Sequence, residues 1–106
     1  MFRSVESTTA VEQTNLGLPT TFRLEQNYPN PFNPSTTIEF ALVERSSVKL
    51  KVFDVTGKEV AILVNESLVP GTYKVTFEAN RLPSAIYFYR IEAGRFLQIK
   101  KLMLLK

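Results

Sequence analysis

The sequence predicts an all-β fold, an immunoglobulin-like antiparallel β-sandwich of about seven strands. From Phe22 onward, apolar and polar residues alternate in runs of about 6 to 9 residues, and turn-forming residues separate the runs. No segment has the 3.6-residue period of a long amphipathic helix. The chain has 106 residues, of which 44% are hydrophobic, so one domain with its own core is feasible.

The predicted strands follow one another at 22–28, 36–42, 47–54, 58–64, 72–79, 85–93 and 96–105. Where apolar residues occupy every second position of a run, they define the face that packs inward. The side chains predicted to face the core on this basis are Ile38, Phe40, Leu42, Val48, Leu50, Val52, Tyr73, Val75, Phe77, Tyr87, Tyr89 and Ile91.

Glycine and proline mark three of the predicted connections. The stretch from Asp54 to Gly57 suits a type I turn followed by a glycine with positive φ. Pro70 and Gly71 suit the central positions of a type II turn, and Gly94 suits the permissive position of the last hairpin. These residues therefore have predicted structural roles, and their spacing differs from that of a phosphate-binding loop.

Residues 1–21 are polar and rich in Ser and Thr, without a period of 2 or 3.6 residues. They predict a flexible leader or linker that joins an upstream segment to a domain at 22–106. No apolar run approaches the roughly 18 to 20 residues that span a bilayer, so no transmembrane segment is predicted.

The chain contains no His and no Cys, which excludes Ser-His and Cys-His nucleophile pairs, imidazole or thiolate metal sites and disulfides. Asp54 is the single aspartate, which makes a calcium cage improbable. The possible acid-base pairs are Asp54 with Glu59 and Glu39 with Glu44, and both suit ordinary solvated carboxylates. We therefore predict a non-catalytic domain without a metal or cofactor.

The net charge of +3 comes entirely from the C-terminus, because residues 94–106 contain 4 basic residues and no acidic one. These cations are mixed with apolar side chains, which is typical of an edge strand protected by lysines against uncontrolled pairing. An edge strand can also donate or accept a partner strand. A nucleic-acid site would need a larger basic face, so no nucleic-acid partner is predicted.

The proline segment, residues 26–36, has Pro29, Pro31 and Pro34 alternating with other residues. Proline lacks an N–H, so the segment cannot be a central strand and must be a rigid connection. Asn30 and Asn33 can form Asx-turns, and Tyr28 and Phe32 can pack against the end of the sandwich. A stiff structural loop and a binding epitope both remain open.

The chain also resembles a known family in several separated motifs, namely QNYPNPFNPSTTIEFAL, KVFDVTGKEVAILVNE, GTYKVTFEA, LPSAIYFYRIEAG and KKLMLLK. Together they are similar to the type A C-terminal sorting domain of the type IX secretion system of Bacteroidetes and related bacteria. The resemblance implies a secretion address on an upstream cargo protein, with the outer-membrane translocon and a sortase-like peptidase as partners. It implies passage through the periplasm, cleavage ahead of Phe22, and release of the cargo or its attachment to the cell surface.

By this resemblance, the residues marked in the family correspond to Asn30, Pro31, Phe32, Asn33, Asp54, Gly57, Gly71, Tyr73, Tyr87 and residues 100–106. The residues predicted to be recognised by a partner are Asn30, Pro31, Phe32, Asn33, Lys100, Lys101, Leu102, Leu104 and Lys106. The family commonly has glycine where this chain has Ala85, which would be costly if φ were positive there. An alternative function is an accessory or spacer domain that binds carbohydrate or protein, for which a flat row of exposed aromatic side chains would be the discriminating feature.

Overall fold

Residues 11–14 and 18–106 are described by the structure, a computed structural model, and they form two four-stranded antiparallel sheets. In chain order the strands are β1 (Val11–Thr14), β2 (Arg23–Leu24), β3 (Ser35–Leu42), β4 (Ser46–Phe53), β5 (Glu59–Leu68), β6 (Gly71–Glu78), β7 (Ala85–Ala93) and β8 (Phe96–Leu104). One sheet has the order β1-β6-β3-β2 and the other the order β5-β4-β7-β8. The predicted all-β antiparallel sandwich is confirmed, while its immunoglobulin-like character stays a prediction.

The core lies between the two sheets and draws side chains from both. All 12 side chains that the alternation placed inward are buried. Each contributes on the order of 1.5 to 3 kcal/mol of transfer free energy before conformational entropy is subtracted. Among the described residues, no helix is long and apolar enough to cross a membrane.

Two connections have the geometry that their glycines predict. Gly57 has a φ of 88°, and its N–H donates to the carbonyl of Asp54 at 3.0 Å. Gly94 has a φ of 60°, whereas no described residue other than glycine has positive φ. The loop between β7 and β8 therefore has positive φ only at its first central position, as in a type II′ turn.

The connection at Pro70 and Gly71 differs from the expected type II turn. Gly71 has a φ of 153°, far from the value of about +80° in such a turn. Gly71 already pairs with Leu42 in the ladder between β3 and β6, which requires extended backbone. The connection also passes from one sheet to the other rather than closing a hairpin.

The structure also departs from the predicted elements before Ser35. β1 lies within the segment predicted to be a flexible leader, and it pairs antiparallel with β6, with Val11 opposite Val75. A strand of 4 residues is too short to show an alternating pattern, so β1 could not be predicted from a period of two residues. The strand predicted at 22–28 is reduced to β2 and an isolated bridge between Tyr28 and Thr37. Residues 1–10 and 15–17 of the predicted leader lie outside the described residues, and the division at Phe22 stays a prediction.

Ala85 is the first residue of β7 and lies opposite Leu104; it is the position where the family that the sequence resembles commonly has glycine. Its φ is not positive. The methyl group therefore carries no backbone penalty, and the expected cost of about 1 kcal/mol does not arise here.

Candidate recognition surface at the proline segment and the last strand

The proline segment and β8, which are distant in sequence, are hydrogen-bonded to each other. The N–H of Phe32 donates to the carbonyl of Met103 at 3.0 Å, and the N–H of Leu105 donates to the carbonyl of Phe32 at 3.1 Å. Phe32 thus forms a parallel bridge opposite Leu104. The two segments that the sequence singled out separately therefore form one structural unit at the edge of the second sheet.

Two side chains of the proline segment extend this contact along β8. The side-chain oxygen Oδ1 of Asn30 accepts a hydrogen bond from the N–H of Met103 at 2.9 Å. The side-chain Nε2 of Gln26 donates to the carbonyl of Lys101 at 2.7 Å. Asn30 was expected to bond its own backbone in an Asx-turn, but the outward N–H of an edge strand offers it a donor that is otherwise unpaired.

The two aromatic residues of the proline segment have opposite environments. Phe32 is only 2% exposed, and its ring lies 5.9 Å from the ring of Phe77, centroid to centroid. Tyr28 is 80% exposed, although its backbone pairs with Thr37 in both directions at 2.9 Å. The expectation that both rings pack against the sandwich is therefore correct for Phe32 and wrong for Tyr28, because pairing with Thr37 directs the Tyr28 side chain outward.

A buried polar network anchors the start of the proline segment to the core. The side chain of Asn27, itself 2% exposed, donates to the carbonyl of Pro29 at 3.1 Å and to the hydroxyl of Thr36 at 3.0 Å. The backbone N–H of Asn27 donates to the hydroxyl of Tyr89 at 2.8 Å. That hydroxyl donates in turn to the carbonyl of Glu25 at 2.7 Å. The peptide bonds before Pro29, Pro31 and Pro34 are cis.

Sequence reasoning identified Tyr89 only as a core residue and did not identify Asn27 or Thr36. A tyrosine at an inward position does indicate a buried hydroxyl that needs a partner, but its partner is 62 positions away in sequence. Burial raises the pKa of the Tyr89 hydroxyl to about 12. The hydroxyl therefore stays protonated at neutral pH and can donate to Glu25.

The end of the chain is attached to the connection before β7. The N–H of Lys106 donates to the hydroxyl of Ser84 at 2.9 Å, and its Nζ donates to the carbonyl of Asn80 at 2.7 Å. Within the part of the chain that the structure describes, neither Lys100 nor Lys101 forms an ion pair. These two charges are available to a partner.

The nine residues predicted to be recognised by a partner divide by exposure. Those exposed to solvent are Asn30, Pro31, Asn33, Lys101 and Lys106. Lys100 is half-buried, and the fully buried ones are Phe32, Leu102 and Leu104. The exposed group spans both segments, so we define the recognition surface as these five residues together with Tyr28.

Asp54 and Glu59, one of the two carboxylate pairs considered for acid-base chemistry, have different partners. Hydrogen bonds from the hydroxyl of Thr56 and from the N–H of Lys58 hold the pKa of Asp54 below its usual value, the opposite of what a general acid at neutral pH needs. Glu59 forms an ion pair with Lys51 at 3.3 Å. Among the described residues, no group of three His, Cys, Asp or Glu side chains is placed to hold a metal ion.

A flat row of aromatic side chains, the feature expected of a carbohydrate-binding sandwich, is not found in the described residues. Of the large hydrophobic side chains that are exposed there, Tyr28 is the only aromatic one. The geometry therefore gives the accessory-domain alternative no specific support.

Comparison with known proteins identifies a family that the chain matches. A family model described as a secretion system C-terminal sorting domain matches residues 26–105, a range that begins at the proline segment and ends on the final residues of the chain. No curated protein and no solved structure matches the chain.

Proposed function

Because the chain belongs to the family of C-terminal sorting domains of the type IX secretion system, we propose that it directs an upstream cargo protein through the outer-membrane translocon of that system. Domains of this family are generally non-catalytic. The cargo would reach the translocon from the periplasm, and a sortase-like peptidase would cleave the chain ahead of Phe22. The cargo is then released or attached at the cell surface.

The observation that carries this proposal is the joining of the proline segment to β8. Both segments contain residues that correspond to marked positions of the family, and the backbone of Phe32 bonds to Met103 and Leu105. A partner that contacts this side of the domain meets both segments at once. The signal is therefore a folded surface, and its recognition depends on an intact sandwich.

We propose two roles for these residues, according to their burial. Phe32, Leu102 and Leu104 hold the two segments in place from within the core. Asn33 and Lys101 are exposed and make direct contact with the translocon. Deleting residues 102–106 would remove two core leucines, so substitutions at exposed positions test recognition more cleanly than truncation.

The experiment is the export of a reporter that carries a periplasmic signal at its N-terminus and this chain at its C-terminus. It is expressed in a type IX-competent host and in a strain lacking the translocon. We expect the reporter at the surface or in the medium of the competent strain alone. A folded reporter that stays in the periplasm of both strains would refute the proposal.

Two matched variants test the recognition surface. Asn33→Arg adds bulk and charge to the exposed part of the proline segment, and Asn65→Arg makes the same change at an exposed position of β5. We expect export to fall for Asn33→Arg and to be unchanged for Asn65→Arg. Equal export of the two variants would place the recognised surface elsewhere on the domain.

A further inference from the structure

The hairpin between β7 and β8 determines which backbone groups of β8 point away from its neighbour. Ala93 pairs with Phe96 across a two-residue loop, and the pair that closes such a loop is hydrogen-bonded. Every second residue after Phe96 therefore bonds to β7. The residues between them, Leu97, Ile99 and Lys101, direct their N–H and C=O groups to the open side of the sheet.

The proline segment closes only the far end of this open side. Side chains of the segment donate to the carbonyl of Lys101 and accept from the N–H of Met103. The backbone of Phe32 donates to the carbonyl of Met103 and accepts from the N–H of Leu105. No described residue forms a backbone hydrogen bond with the outward groups of Leu97 or Ile99. We call the stretch from Leu97 to the N–H of Lys101 the open edge. Its outward backbone groups are unpaired, whereas those of the following residues of β8 bond to the proline segment.

The open edge also exposes apolar side chains. Leu97 is 59% exposed and Ile99 is 54% exposed, and both lie on the outer face of the sheet. An isolated exposed apolar side chain is ordinary, but two at consecutive outward positions of an unpaired edge form a template for a further strand.

The charge at the open edge selects the kind of strand that fits. Arg95, Lys100 and Lys101 border it, and none of them forms an ion pair with a described carboxylate. The neighbouring carboxylate of Glu92 is already paired with Arg90 at 3.3 Å. A second copy of the chain would bring two such sets of cations together, which is destabilising across a strand pair. A strand with Asp and Glu side chains would instead neutralise them.

We propose that the open edge, Leu97 to Lys101, accepts an extended acidic segment of the export machinery as an additional β-strand. Backbone pairing supplies affinity, and contacts with Lys100 and Lys101 select acidic side chains. This inference rests on the proposed function, and it adds the position, the mode and the chemistry of the contact.

The first test compares two substitutions of one residue in the export assay. Ile99→Pro and Ile99→Ser both remove the isoleucine side chain, but only proline removes the outward N–H. We expect export of Ile99→Pro to fall at least tenfold below that of Ile99→Ser. Two charge-reversal variants test the proposal if the proline variant does not fold. Lys101→Glu lies on the open edge, and Lys74→Glu, the control, lies on the exposed face of β6. We expect Lys101→Glu alone to reduce export.

The second test uses a photo-crosslinking residue, p-benzoyl-phenylalanine, in exporting cells. It is placed at position 97 and, as a control, at position 55, where Val55 is 68% exposed in the hairpin between β4 and β5. We expect an adduct from position 97 alone, on an extended segment rich in Asp and Glu. An adduct on a second copy of the chain, on a basic segment, or none at all would overturn the proposal.

The outcomes separate this inference from the proposed function. If the unaltered reporter is not exported, the sorting function fails. If the unaltered reporter is exported and Ile99→Pro, Ile99→Ser, Lys101→Glu and Lys74→Glu are exported equally well, the sorting function stands and the open edge is not the contact.

Discussion

Replacing Tyr89 by phenylalanine removes one oxygen atom from the core and disconnects the start of the proline segment. The Tyr89 hydroxyl accepts from the N–H of Asn27 at 2.8 Å and donates to the carbonyl of Glu25 at 2.7 Å. Tyr89 is 0% exposed, so water has no direct access to its hydroxyl. Phenylalanine keeps the ring and its packing, and the substitution therefore isolates the two hydrogen bonds.

The expected loss of stability follows from the groups that are left behind. A buried donor or acceptor without a partner costs about 1 to 3 kcal/mol. The N–H of Asn27 and the carbonyl of Glu25 both lose their partner, and the carbonyl lies nearer to solvent. We therefore expect a loss of about 2 to 4 kcal/mol in the free energy of unfolding. That is a large share of the roughly 5 to 15 kcal/mol that stabilise a typical domain.

Urea unfolding of the purified domain measures this loss, and two other tyrosines serve as controls. The hydroxyls of Tyr73 and Tyr87 each donate to a single carbonyl, of Val69 and of Pro83, at 2.7 Å. We expect about 1 kcal/mol for Tyr73→Phe and for Tyr87→Phe. If Tyr89→Phe costs no more than these two variants, the hydroxyl is not what anchors the proline segment.

Three further predictions follow from the same structure. Because burial raises the pKa of Tyr89 to about 12, the unfolded chain loses this proton near pH 10 while the folded chain keeps it. The free energy of unfolding should fall as the pH rises from 10 to 12, by at most about 3 kcal/mol, and an equal fall with pH in Tyr89→Phe would contradict this origin. Phe32→Ala should cost about 3 to 5 kcal/mol and speed amide hydrogen exchange at Leu105, whose unchanged protection would contradict the bridge. Gly94→Ala should cost about 1 to 3 kcal/mol in urea unfolding, because alanine is strained at the first central position of a type II′ turn. No atom lies within 4 Å of the added Cβ, so a larger loss would indicate a steric clash.

The sequence predicted the strands and the core well because burial of one face imposes a period of two residues. The patterns of β4 and β6 show this alternation directly. The departures occur where no such period exists. β1 is held by backbone pairing to β6, and the geometry at Gly71 depends on its partner Leu42 across the ladder, which a local turn motif does not reveal.

The sequence predicted the two segments of the candidate surface, but it did not predict that they contact each other. Proline chemistry and the uneven distribution of charge identified each segment on its own. Their contact depends on single hydrogen bonds between residues more than 60 positions apart, such as Asn30 with Met103 and Asn27 with Tyr89. No local pattern encodes these pairs. The exposure of Tyr28 likewise follows from its pairing with Thr37.

The distribution of prolines explains why the proline segment pairs with β8 at one residue and stops there. A parallel ladder centred on Phe32 would continue two positions away on either side. Pro34 lacks the N–H needed on one side. On the other side, where the backbone of Asn30 would pair, the side chains of Asn30 and Gln26 bond to β8 instead. The pairing therefore closes the end of β8 without becoming a full strand, and the edge from Leu97 to Lys101 stays open for a partner.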